Sequence, residues 1–308
     1  MLSALMIVAG LSALFSLTAR TVARRVNPPT AAFVFTVASV TIAAASSGLL
    51  AVAGWYGAAR FGPIATAGGW SPGLLARTAP VPLVVSTCAG LGLVLIMCRV
   101  AHLWFRRFTE LRVAQRSWPS AGRDHGITVT AEDQVDAFAV EGTLTTRRVI
   151  LTEGLLRALP DPDLRRAVIE HEQSHLRHHH LLYRLAVETA ACANPILRPI
   201  SPVVDEALEA WADDDAAHAT APAAVATAIA TVALTRGQQR PNRIALAVAE
   251  SVTVRRVDRL LHPTGTNNVG AVVGAGLAIG AAIVLGVGCR QTETFFEALR
   301  ATGQLLAR

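Results

Sequence analysis

There is no lysine in this 308-residue chain. All 28 of its basic residues are arginine, so the formal net charge of +6 rests on one residue type. These arginines gather at the edges of apolar runs, not along one helix face or among aromatics, and direct nucleic-acid binding is therefore not expected. Charge of either sign is sparse: 16% of residues are charged, 52% are hydrophobic and the mean hydropathy is +0.42. That balance weighs against an ordinary soluble domain and points to a membrane protein. Cysteine is scarce too. Cys88, Cys98, Cys192 and Cys289 show no C-x-x-C spacing, which excludes a thiolate zinc site, a redox pair and a disulfide scaffold. No internal repeat is found.

Four apolar runs are long enough to cross roughly 30 Å of hydrocarbon. They cover about residues 1–19, 30–53, 81–98 and 268–288. The first lacks a basic region ahead of it, and Arg20, Arg24 and Arg25 follow it, so it reads as a membrane helix and not as a signal peptide. Residues 54–80 are rich in Gly and Pro and are expected to form a loop. Arg99, Arg106, Arg107, Arg112 and Arg116 follow the third run. The positive-inside rule then places the N-terminus outside, residues 101–267 in the cytoplasm and the tail 289–308 outside. Gly270, Gly274, Gly276 and Gly280 give the fourth run small-residue faces suited to close helix packing.

The chemistry lies in residues 101–267. Ile127–Thr130, Ala137–Val140 and Arg148–Leu151 are short β-prone runs, the last two flanking Glu141-Gly142-Thr143 as a hairpin. Asp161 is a good N-cap and Pro162 suits a first helical position. Nothing from there to Tyr183 breaks a helix, so His171-Glu172-Gln173-Ser174-His175 lies inside one. Positions four apart share a face, which turns His171 and His175 the same way as two corners of a tetrahedral zinc site. Glu172 beside them can take a proton from water at the metal. His178, His179 and His180 read as surface or supporting residues. Leu185–Ala193 reads as a core helix, with a membrane-surface helix as the alternative. Ser201-Pro202 opens a further helix in which Glu209 and Asp213 share one face. A third ligand belongs here: Glu209 suits it, and Asp213 can accept a hydrogen bond from a ligand histidine and fix its tautomer. Asp214 and Asp215 read as a solvated acidic face. Helices are also expected from Pro222 to about Leu234, and over Ile244–Leu261 with Val248, Val252, Val257, Leu260 and Leu261 buried.

This order of spans, hairpin, His171-Glu172-Gln173-Ser174-His175 and Glu209-Ala210-Trp211-Ala212-Asp213 resembles the membrane zinc peptidases of β-lactam sensor-transducers, the BlaR/MecR type. It also resembles their relatives, the CAAX prenyl proteases and HtpX-like heat-shock proteases. Those families carry H-E-x-x-H followed by E-x-x-x-D. Asp136-Ala137-Phe138-Ala139, Thr152-Glu153-Gly154-Leu155-Leu156 and Val254–Leu261 add weaker likeness. The sensors carry an extracellular penicillin-binding domain after their last span. Only about 20 residues follow here, so the resemblance is to the short, sensorless form.

The resemblance implies Zn²⁺ held by His171, His175 and Glu209, with Glu172 as the base. His218, five residues beyond Asp213, is a candidate oxyanion donor, with a surface histidine as the favoured alternative. The implied fold is a mainly α membrane protein of about four transmembrane helices, with a cytoplasmic α+β gluzincin-like zinc peptidase domain containing a small hairpin. The implied function is a multi-pass cell-membrane endopeptidase cleaving a cytoplasmic protein, such as a transcriptional repressor. The rivals are a non-catalytic sensor or scaffold with structural zinc, and a housekeeping protease for membrane proteins. A substrate peptide is expected to add as a strand near Ala137–Val140.

Overall fold

A computed structural model describes residues 2–78, 81–117, 126–141, 147–239 and 243–262, with isolated helical positions between 276 and 297. Helix α1 (Leu2–Ala23), α2 (Pro28–Ala58) and α5 (Leu83–Ser117) have 22, 31 and 35 residues. Each is long and apolar enough to cross a membrane. The α2 start follows from chain chemistry: Asn27 Oδ1 accepts the Thr30 N–H at 3.2 Å, and two prolines fill the first turn. Residues such as Phe33, Val37, Leu91 and Leu95 point outward, where lipid would solvate them.

The expected loop at 54–80 instead holds two short helices, α3 (Gly62–Gly68) and α4 (Pro72–Thr78). Pro63 and Pro72 sit in their first turns, where proline starts a helix and does not break it. Helix α5 runs past its apolar segment through Arg106, Arg107 and Arg112 without a break. The expected fourth span and the tail lie outside the described residues, apart from isolated helical positions.

A three-stranded sheet follows, formed by β1 (Ile127–Thr130), β2 (Ala137–Glu141) and β3 (Arg147–Thr152) in the order β1-β3-β2. β2 and β3 pair antiparallel with Ala139 opposite Val149, as the hairpin reading requires; β1 adds parallel to β3. β2 is therefore an edge. Thr152 ends β3 and caps α6 (Glu153–Ala158), its Oγ1 accepting the Leu155 N–H at 3.1 Å and donating to Gln134 O at 2.6 Å. A Cβ at Gly154 would lie 2.3 Å from Asp133 O, so only glycine lets α6 approach that segment.

Asp161 caps α7 (Pro162–Arg177) through the Asp163 N–H at 2.9 Å. The helix does not continue to Tyr183. His179 adopts a left-handed φ of 52°, and α8 (His180–Ala193) restarts in a new direction. After a 3₁₀ turn at Pro195–Leu197 comes α9 (Ile200–Ala219), which begins ahead of Ser201 and has no side-chain cap. Helix α10 (Pro222–Gln239) and α11 (Arg243–Leu261) close the described fold. In α11, Leu260 is buried, but Leu261, expected to be buried, is half exposed because it turns off the packed face.

The first two spans share one core with α8 and α9. Phe15 stacks on Phe35 at 5.6 Å, and both pack in a cluster with Leu197, Ile200, Val204 and Leu208. Where these helices lie in lipid, what holds the cluster is close van der Waals packing and not exclusion of water. The α8–α9 turn is keyed between the spans: Asn194 Nδ2 donates to Ser12 Oγ at 3.0 Å and to Ser46 Oγ at 3.1 Å. A second core, with Val149, Leu151, Leu155 and Leu159, seats the sheet on α7.

Candidate metal centre

One turn separates His171 from His175 on α7, and their Nε2 atoms lie 3.2 Å apart. Glu209 of α9 straddles the pair, with Oε2 3.5 Å from His171 Nε2 and Oε1 3.6 Å from His175 Nε2. Three ligand atoms from these residues lie within 4.8 Å of one another. Zinc bonds of 2.0–2.1 Å at tetrahedral angles put neighbouring ligand atoms about 3.3–3.4 Å apart. The cluster matches that spacing, and its two imidazole nitrogens and one carboxylate are a donor set that fits zinc chemistry.

Behind the cluster, His171 Nδ1 donates to Asp213 Oδ1 at 3.0 Å, leaving Nε2 free to ligate. Arg256 of α11 donates to both Asp213 oxygens at 2.6 and 2.8 Å, and its third nitrogen is 3.3 Å from Glu209 Oε2. Arg184 of α8 reaches Glu209 Oε1 at 2.7 Å and Asp205 at 3.1 Å. His175 Nδ1 lies 2.6 Å from His180 Nδ1.

These neighbours set the electrostatics. Burial works against a charged His171, yet the Asp213 and Glu209 carboxylates hold its pKa up at about 9. His175 has no carboxylate behind it. Burial, then the His171 charge, pushes it down to about 4. His180 falls to about 3, chiefly through burial. Burial alone would raise Glu209, but the His171 hydrogen bond and the Arg256 charge hold it well below the usual carboxylate range. Asp213 is held down the same way, against burial, by Arg256 and His171.

Glu172 points into a cavity of about 210 Å³ shared with His171, Glu209 and Arg256. Much of its lining is apolar, from residues such as Ala167 and Val168 of α7 and Val225, Ala228 and Ile229 of α10. Burial, with the Glu209 and Asp136 charges, pushes Glu172 up to about 7, while the His171 charge and the Ala139 N–H pull the other way. That N–H contact orients the sheet. Strand alternation turns the backbone groups of Ala137 and Ala139 away from β3, and Ala137 lines the cavity. The outer edge of β2 therefore runs beside Glu172.

The structure brings His171, Glu172, His175, Glu209 and Asp213 together. It does not bring His218. Five residues past Asp213 is about 140° around the helix. His218 is exposed there, with Nδ1 2.6 Å from Asp214 O, and it does not line the cavity. Asp214 and Asp215 are not a solvated face either. Asp214 pairs with Arg259 at 2.9 Å, and Asp215 accepts from Ser174 Oγ at 2.6 Å and His178 Nε2 at 2.9 Å. Sequence reasoning gave no role to Arg184 or Arg256, and read His180 only as a surface or supporting residue. Arg256 lay inside the stretch Val254–Leu261 singled out for likeness, and His180 inside the triple histidine. Arg184 carried no pattern signal at all.

Comparison with known proteins gives two matches. Residues 106–242 match Peptidase family M48, an interval that contains all five clustered residues and ends before Arg256. The chain is also 41% identical over 61 residues to a Protease HtpX homolog from Thermoplasma acidophilum, a stretch covering 20% of this chain and 19% of that relative. The match thus spans about a fifth of the relative's length. No solved structure matches.

Proposed function

We propose that this chain, with its M48 peptidase domain, is a membrane-anchored zinc endopeptidase that cleaves cytoplasmic protein. The observation that carries the reading is the spacing of His171, His175 and Glu209, which suits one tetrahedral ion with Glu172 alongside. His171 and His175 would hold zinc through Nε2, and Glu209 through its carboxylate. When bound, zinc supplies Lewis acidity that polarises a scissile carbonyl and acidifies water.

The remaining work falls to side chains of this protein. Glu172 removes a proton from water as the water oxygen attacks the carbonyl carbon. The same carboxyl then delivers that proton to the amine nitrogen as the C–N bond breaks. A base near pKa 7 is matched to both transfers at neutral pH. Arg256 lines the cavity with its charge already oriented, so it replaces His218 as the candidate donor for oxyanion stabilisation. A substrate backbone pairs with the outer edge of β2, and an aliphatic side chain next to the scissile bond enters the apolar wall of α10 and α7.

The arginine-rich ends of the spans favour placing this domain in the cytoplasm. Arg20, at the end of α1, reaches Glu206 of α9 at 3.2 Å, which keeps that end beside the site helices. Resemblance to the β-lactam sensor-transducer peptidases extends the proposal to a repressor-like substrate. The test is chelation followed by readdition. Peptide cleavage by detergent-solubilised protein should vanish with chelator and return at one zinc per chain. Cleavage indifferent to chelator rejects the assignment.

A further inference from the structure

His175 shows one nitrogen to the cluster and the other to His180. Nε2 is the atom near His171 and Glu209, so it must keep a lone pair in order to ligate. The single proton of a neutral His175 then sits on Nδ1. At 2.6 Å, His180 Nδ1 is its partner, and one of the two nitrogens must be an acceptor. That acceptor is His180 Nδ1, which leaves the proton of His180 on Nε2.

His180 is built for this contact and poorly suited to being mere filler. It is 1% exposed, and its Nε2 has no hydrogen-bond partner among the described residues. A buried donor with no partner among its neighbouring side chains is a standing cost that an apolar residue would remove. Its ring is wedged beside Trp211, with centroids 5.0 Å apart, and near Tyr183 at 6.4 Å. The backbone is bent to bring it there. On an unbroken α7, a residue five past His175 would lie about 140° around the helix. The left-handed turn at His179 redirects the chain so that His180 meets His175.

We propose that His180 is the positioning residue for His175: its neutral imidazole accepts the Nδ1–H and fixes the tautomer and ring angle that ligation requires. It does for the second histidine what Asp213 does for the first, without a charge. The inference concerns metal binding and stands apart from whether the chain cleaves peptides.

The experiment compares zinc dissociation constants of full-length protein in detergent, by competition with a chromophoric chelator. His180→Phe keeps a ring against Trp211 but has no acceptor; His180→Asn offers Oδ1. His180→Phe should bind zinc about 10–100-fold more weakly, and His180→Asn should recover most of that loss. Equal affinity for wild type and His180→Phe overturns the proposal, and so does an Asn variant as weak as Phe. Should His180→Phe not fold, ¹⁵N-histidine NMR of the metal-free wild type decides. A proton on His180 Nε2 alone supports the assignment, and a proton on its Nδ1 overturns it.

Discussion

Arg256 takes both oxygens of Asp213, with Nε 2.8 Å from Oδ2 and Nη2 2.6 Å from Oδ1. Asp213 is fully buried and also holds His171. A charge out of reach of water is thus neutralised from α11 while it orients a residue of α7. Removing the guanidinium would leave that buried carboxylate with His171 as its one remaining charged partner, a change costing up to roughly 3–5 kcal/mol. Arg256→Met should lower the thermal midpoint in detergent by roughly 6–20 °C. Arg256→Lys should recover only part of this, because one ammonium cannot span two oxygens. Scanning fluorimetry on the two variants checks both statements.

Zinc binding should release a proton. In the metal-free protein His171 has a pKa of about 9, above its ordinary value, so it is protonated at pH 7, while His175, at about 4, is already neutral. Ligation needs both neutral. Apparent affinity should therefore rise about tenfold per pH unit between roughly pH 5 and 8, and flatten above about 9. The sign for folding is the reverse. A raised histidine pKa stabilises the metal-free fold most below the unfolded value of 6.5, and that contribution fades as pH climbs through about 9. Calorimetry in buffers of different ionisation enthalpy measures the proton directly; zero protons released at pH 7 contradicts the assignment.

His179 carries the positive φ that redirects the chain into α8. Glycine relieves the left-handed conformation, although it loses the contact of Arg147 with the ring nitrogen at 2.9 Å. His179→Gly should stay within about 1 kcal/mol of wild type and keep its zinc, whereas His179→Val should lose roughly 1–2 kcal/mol and bind zinc more weakly. Thermal midpoints paired with metal content separate the two.

The apolar wall of the cavity sets a preference. Ala228 is 1% exposed and lies opposite the cluster. Ala228→Leu should fill that space and slow cleavage beside Leu or Ile by roughly 10-fold relative to cleavage beside Gly or Ala. A peptide series varied at that one position reads the ratio, and an unchanged ratio removes the side chain from this pocket.

Much of the site was legible because its signals are local. An N-cap, a helix and an i, i+4 pair place His171 and His175 with no tertiary knowledge, and Glu209 with Asp213 repeats that logic on α9. The strands were legible from alternation and β-branched content. What stayed hidden depends on contacts between distant segments. His180 reads as one more histidine in a helix until the turn at His179 moves it, and the leaning of histidine toward left-handed backbone is too weak to place that turn among three in a row. Arg184 and Arg256 matter because α8 and α11 converge on Glu209. The packing of α8 and α9 onto α1 and α2 was hidden for the same reason, since a hydropathy profile separates span from domain where Asn194, Ser12 and Ser46 join them.

The central claim is that Glu172 moves the proton while His171, His175 and Glu209 hold the ion. Metal content and endopeptidase turnover, measured on the same detergent-solubilised samples of wild type and Glu172→Gln, test it most directly. The expected result is one zinc per chain in both, with turnover in the variant reduced by about 10²–10⁴-fold. A variant that cleaves as fast as wild type, or a wild type that retains no zinc, would contradict the account.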